Sequence, residues 1–144
     1  MSHIEKSASI PCDAPTAWAF VSQRENAPKL VPNLVRVWDI APAQAGPGQA
    51  WKFEFKLLGL SFEGTAKIIQ FEAGRMLQFQ TTGRVPSKWT YTIAPEAAGA
   101  RATVAVDYDL PDNLWARVKD RVALSRIHES QIEEILVNLA AQLG

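Results

Sequence analysis

The sequence predicts an α+β fold in which a curved antiparallel sheet of about seven strands wraps around one long C-terminal helix. Two observations carry this. Residues 51–57, WKFEFKL, alternate apolar Trp51, Phe53, Phe55 and Leu57 with charged Lys52, Glu54 and Lys56, and similar runs follow with glycine-containing turns between them. After Pro111 the pattern changes to a stretch free of internal glycine and proline, with apolar residues three and four apart.

The elements follow in order. HIEKSASI alternates, with Ile4, Ala8 and Ile10 sharing a parity with Lys6, and reads as a strand. In PCDAPTAWAFVSQ, Asp13 is suited to cap a helix whose first turn tolerates Pro15, and the helix is expected to end before Pro28. ENAPKLVPNL holds two prolines and reads as a broken turn-helix-turn, giving two short helical pieces after the first strand. LVRVWDIA is β-branched and aromatic enough for a strand, and APAQAGPGQ is a turn that leads into WKFEFKL.

Four more strands complete the sheet. SFEGTAKIIQF sets Phe62, Gly64, Ala66 and Ile68 on one side, RMLQFQT offers Leu77 and Phe79, and KWTYTI offers Trp89, Tyr91 and Ile93. ATVAVDYDL sets Val104, Val106, Tyr108 and Leu110 opposite Asp107 and Asp109, which read as solvated. Turns at residues 58–60 and near Gly74, Gly83 and Gly99 mark consecutive hairpins.

Residues 112–144 then read as a single helix of about 30 residues. At 100° per residue its apolar stripe comprises Leu114, Val118, Val122, Ser125, Ile132, Leu136, Leu139 and Leu143. Glu129 falls within the stripe and His128 at its edge. Ile127 lies nearly opposite, with Leu124 and Ile135 nearer the flank, a weak mark of a dimer contact. With no repeat and no linker, residues 1–144 are read as one domain.

Composition narrows the function. The 144 residues are 47% hydrophobic, enough for a substantial core, and 15 basic and 15 acidic side chains give a formal net charge of zero. No overall field draws the chain to nucleic acid or anionic lipid. The single cysteine, Cys12, suits a reducing compartment, and neither a leader pattern nor a membrane-spanning apolar run is seen, so a soluble cytoplasmic protein is expected. His3, His128 and Cys12 are too scattered for a metal site, and dinucleotide, phosphate-loop, nucleophile-elbow and zinc-protease motifs are lacking, so neither metal nor cofactor is expected.

Geometry raises the question of a hollow. Seven strands at about 4.8 Å span some 30 Å, whereas one helix covers about 10–12 Å. The sheet is either very tightly rolled or leaves a space lined by its large side chains.

ASIPCDAPTAWAFVSQ, KLVPNLVRV, GPGQAWKF, SKWTYTI, VAVDYDLP and ILVNLAAQL, in that order and spacing, resemble the START-related (SRPBCC) superfamily of helix-grip proteins. That superfamily includes polyketide cyclase/dehydrase-like and lipid-transfer-like members and the birch-pollen allergen fold. The resemblance implies a cavity between sheet and long helix holding a hydrophobic small molecule or lipid. Apart from it, a monomer or homodimer without a cofactor is expected.

Trp51, Phe53, Phe55, Phe62, Phe79, Trp89, Tyr91 and Tyr108 would line such a cavity. Taken singly each reads as core; as a set they form a better case for a wall. Ser125, His128 and Glu129 interrupt the helix stripe. A carboxylate facing a dry core is costly, so Glu129 either meets a wet cavity or turns outward to a paired position, with Lys6 an available partner. Ligand binding is the leading expectation, with Ser125 and Glu129 added to the aromatic set. A cyclase- or aromatase-type enzyme is the alternative, with Tyr108, His128 and Glu129 as proton-shuttling candidates. A partner-binding scaffold with a filled core is a third reading.

Overall fold

A computed structural model of the protein describes residues 2–57, 59–83, 86–108 and 118–144, with the side chains of residues 2, 57, 118–125 and 127 outside that description. Strand β1 (Ser2–Ile10) leads into α1 (Ala14–Ser22), a 3-10 turn (Arg24–Asn26) and a single helical turn, α2 (Ala27–Leu30). Six strands follow: β2 (Leu34–Ala41), β3 (Ala50–Leu57), β4 (Leu60–Glu72), β5 (Met76–Thr82), β6 (Ser87–Glu96) and β7 (Gly99–Tyr108). The chain then reaches the long helix α3 (Val118–Leu143). The predicted helix residues 112–117, Leu114 among them, lie outside the described residues.

The caps obey local chemistry. Asp13 accepts a hydrogen bond from the Thr16 backbone N–H at 2.9 Å, with proline in the first turn of α1 where its missing N–H is harmless. Pro28 likewise sits in the first turn of α2, so one of the two prolines that break the segment after α1 also starts its second helical piece.

The seven strands form one antiparallel sheet in the order β1-β7-β6-β5-β4-β3-β2. It is a meander from β2 to β7, and β1 closes onto β7. Register shifts mark irregularities in β2 against β3 and in β4 against β5, features that bend strands. The shift between Ile68 and Gln70 also resets parity: Ile69 is exposed while Phe71 turns inward and meets Trp18 edge-on at 5.6 Å.

Helix α3 packs chiefly on β1, on β7 and against α2, while α1 covers β6 and β7. The packed core holds Ile10, Leu30, Leu77, Val104 and Val106 with Ile132, Ile135 and Leu139 of α3, all essentially inaccessible. Ile135 is a correction. Its side chain is fully buried and so marks no dimer contact, and Ile127's side chain lies outside the described residues. Counting Ile135 into the stripe swings the buried face of α3 by about 10°, toward His128 and away from Glu129. Because α3 leans to the β1–β7 side, the aromatic strands β3, β5 and β6 face a space between sheet, α2 and α3.

Candidate functional site

That space is a cavity of about 430 Å³. The sheet contributes Trp51, Phe53 and Phe55 from β3, Phe79 and Thr81 from β5, and Ser87, Trp89 and Tyr91 from β6. Opposite them stand Ala27, Val31, Pro32, Leu34 and Val37 from the α2–β2 region, and His128 and Gln131 from α3. The exposed side chains of Lys56, Arg126, Ser130 and Glu134 border it, marking where it opens to solvent.

The aromatic wall is assembled by cross-strand register. Phe79 pairs with Trp89 across β5 and β6, and Leu77 with Tyr91. Trp51 meets Phe79 edge-on at 5.1 Å, and Phe79 stacks on Tyr91 at 6.1 Å. Toward the mouth, Phe53 lies 6.0 Å from Phe55, which lies 5.5 Å from Phe62.

The sequence-predicted residues fall into three groups. Trp51, Phe53, Phe55, Phe79, Trp89 and Tyr91 line the cavity, and so does His128. Phe62 and Tyr108 are not among its described lining: Phe62 backs Phe55, and buried Tyr108 packs under His128 with ring centroids 4.4 Å apart. Of the two positions expected for Glu129, the outward, paired one is found, so Glu129 is not among the described lining. Its carboxylate is 52% exposed and lies 3.0 Å from the Lys6 ammonium, which also pairs with Glu133, so neither the Glu129 nor the Lys6 charge is placed in the core. The Ser125 side chain lies outside the described residues.

Polar groups in the wall divide into satisfied and unsatisfied. The Trp89 Nε1–H donates to Ser87 Oγ at 3.0 Å, the Ser87 and Thr81 hydroxyls lie 2.8 Å apart, and the Ser87 backbone N–H donates to Thr81 Oγ1. This indole is therefore held by protein. His128 differs: both ring nitrogens are shielded from water with no hydrogen-bond partner among the described residues. Burial pulls its pKa below the ordinary 6.5; the nearby Gln131 amide opposes this in part but lacks hydrogen-bond geometry to the ring.

Sequence reasoning missed Arg24. It opens the 3-10 turn after α1, is only 3% exposed, and lines the cavity. One terminal nitrogen donates to the Val21 carbonyl at 2.6 Å, and the guanidinium carbon sits 5.4 Å from the ring centres of Trp51 and Phe79 and 5.6 Å from Tyr91. Nε has no partner among the described residues. Burial lowers the pKa of Arg24 and raises that of Tyr91. Nothing in QREN separates this arginine from a solvated one; the only available signal was its place just before the proline-broken segment.

Among the described residues, no cluster of histidine, cysteine and carboxylates is arranged to hold a metal, and no helix is long and apolar enough to cross a membrane.

The fold recurs in solved structures of low sequence identity. TTHA0849 from Thermus thermophilus superposes with a TM-score of 0.83 at 13% identity, covering 99% of this chain and 97% of that one. The di-domain ARO/CYC StfQ from the steffimycin biosynthetic pathway matches at 0.80 and 10% identity, over 98% of this chain and 50% of its own. A START superfamily protein from Mycobacterium smegmatis matches at 0.64 and 14% identity, over 92% of this chain and 98% of its own. No curated protein matches the sequence. The family described as polyketide cyclase / dehydrase and lipid transport matches residues 1–144, and with its helix-grip architecture the chain belongs to that family.

Proposed function

We propose that the protein binds and carries a hydrophobic small molecule or lipid in the cavity between its sheet and α3. The observation that carries this reading is the aromatic cavity of about 430 Å³, which falls in the size range of small-molecule pockets and opens to solvent at a polar rim. An apolar guest gains by leaving water for a wall of Trp51, Phe53, Phe55 and Phe79. The family description, which names lipid transport, and the lone Cys12, which suits the cytoplasm, agree with this reading.

The test is native mass spectrometry of the purified protein, followed by titration with apolar fluorescent probes. A co-purified apolar molecule, or uptake that Phe79→Trp or Phe55→Trp blocks, supports it. Uptake that neither substitution alters counts against it.

A second reading, catalysis of the cyclase or aromatase kind, is favoured by one observation: His128 sits in the wall, its pKa lowered by burial, with both ring nitrogens unclaimed by described partners. A neutral imidazole at a cavity surface is able to accept a proton from a bound substrate. On this reading His128→Ala abolishes turnover and leaves binding in place, whereas a pure carrier shows no His128-dependent turnover of any polyketone-like compound.

A further inference from the structure

We propose that the cavity selects an amphipathic organic anion, its carboxylate seated on the Arg24 guanidinium and its apolar body laid along the Trp51, Phe79 and Tyr91 wall. The inference rests on the ligand-binding reading above and adds the chemistry of the guest's polar end.

A guanidinium does not give up its proton in a protein, so Arg24 keeps its charge wherever the fold puts it. Here it is 3% exposed, and no carboxylate among the described residues lies within ion-pair distance. Glu25 acts on it only at longer range. An uncompensated charge withdrawn from water is among the costliest features a fold can carry. The Val21 carbonyl accepts one of its five N–H groups, and three aromatic faces stabilise the cation without accepting hydrogen bonds in the plane of the fork. Nε–H is left over.

The missing partner is planar, negatively charged and able to accept two parallel hydrogen bonds, which describes a carboxylate. The rest of the cavity sets the other end of the molecule. The rings that flank the guanidinium also form the apolar wall, so a carboxylate on Arg24 extends directly into aromatic contacts. Among the described lining residues Arg24 is the one buried cation, so its pocket matches a monoanion.

The competing account is that Arg24 is a structural latch, tying the 3-10 turn to the C-terminus of α1 and stacking on the wall. Two probe pairs separate the two: 2-naphthoate against 2-naphthamide, and dodecanoate against dodecanamide, each an ionised carboxylate beside a neutral near-isostere. Affinities are read at pH 7 by calorimetry and by quenching of tryptophan fluorescence.

The wild-type protein is expected to bind at least one carboxylate about tenfold tighter than its amide, a difference of ~1.4 kcal/mol. Arg24→Met erases that preference and Arg24→Lys keeps part of it. Equal affinity of acid and amide for the wild type overturns the anion assignment and leaves hydrophobic binding standing. Failure of all four probes to bind overturns the binding reading and the assignment with it. If Arg24→Met does not fold, the wild-type comparison and Arg24→Lys still decide.

Discussion

The ring of Phe53 occupies the place that a side chain at Gly64 would take. The two residues are register partners on β3 and β4, and a methyl group at Gly64 would lie 2.7 Å from Phe53 Cζ and 2.3 Å from the Thr82 carbonyl oxygen. Glycine here lets an aromatic side chain lie across the neighbouring strand and form part of the cavity wall. Gly64→Ala is therefore expected to destabilise the fold by about 1–3 kcal/mol, since the carbonyl is backbone and yields little. It should also weaken probe uptake by displacing Phe53. Urea unfolding and probe titration check both effects, and an unchanged midpoint would show that the strands part at no cost.

Glu129→Gln is expected to leave ligand affinity unchanged and to shift the unfolding midpoint only slightly. The carboxylate belongs to an exposed ion-pair group with Lys6 and Glu133, where solvent and salt screen the attraction. Because Glu133 keeps its contact with Lys6, the group survives the change. A loss of binding on this substitution would put Glu129 back in the cavity.

The two histidines are expected to pull stability in opposite directions with pH. His128 is held below 6.5 by burial, so as pH falls below 6.5 the unfolded chain takes up that proton first and stability declines toward acid. His3 is raised above 6.5, chiefly by its hydrogen bond to Asp107 at 2.5 Å, so its contribution is complete below 6.5 and is lost as pH rises through its folded value. Thermal unfolding followed from about pH 5 to 8 resolves the two. His128→Phe should flatten the acid decline and His3→Gln should remove the loss on the alkaline side; an unaltered acid slope in His128→Phe would contradict the burial account.

Strand periodicity made most of this architecture legible before any coordinates. The parity of WKFEFKL and KWTYTI places Trp51, Phe53, Phe55, Trp89 and Tyr91 on one sheet face, and the same residues line the cavity. Periodicity failed where geometry is not periodic. The register shift after Ile68 returned Phe71 to the interior, which simple alternation does not encode. The wheel centred on Leu136 and Leu143 omitted Ile135 and so set Glu129 too near the buried face of α3. Arg24 was invisible for a different reason: its burial is a tertiary consequence of three strands supplying ring faces to a turn distant in sequence.

The same distinction between packed and hollow interior gives a comparison of two truncations. Leu77 is fully buried, paired with Phe71 on one side and Tyr91 on the other. Leu77→Ala removes contacts on every face and opens a void, for an expected cost of about 2–5 kcal/mol. Phe55 is larger but half-buried, with the cavity on one side and Phe53 and Phe62 as its ring neighbours among the described residues. Part of its surface already faces open space, so Phe55→Ala should cost less than Leu77→Ala, about 1–2 kcal/mol, although it deletes more atoms. Chemical denaturation of the two variants side by side measures the order. If Phe55→Ala proves the costlier, Phe55 belongs to the packed core and the cavity is smaller than its lining implies.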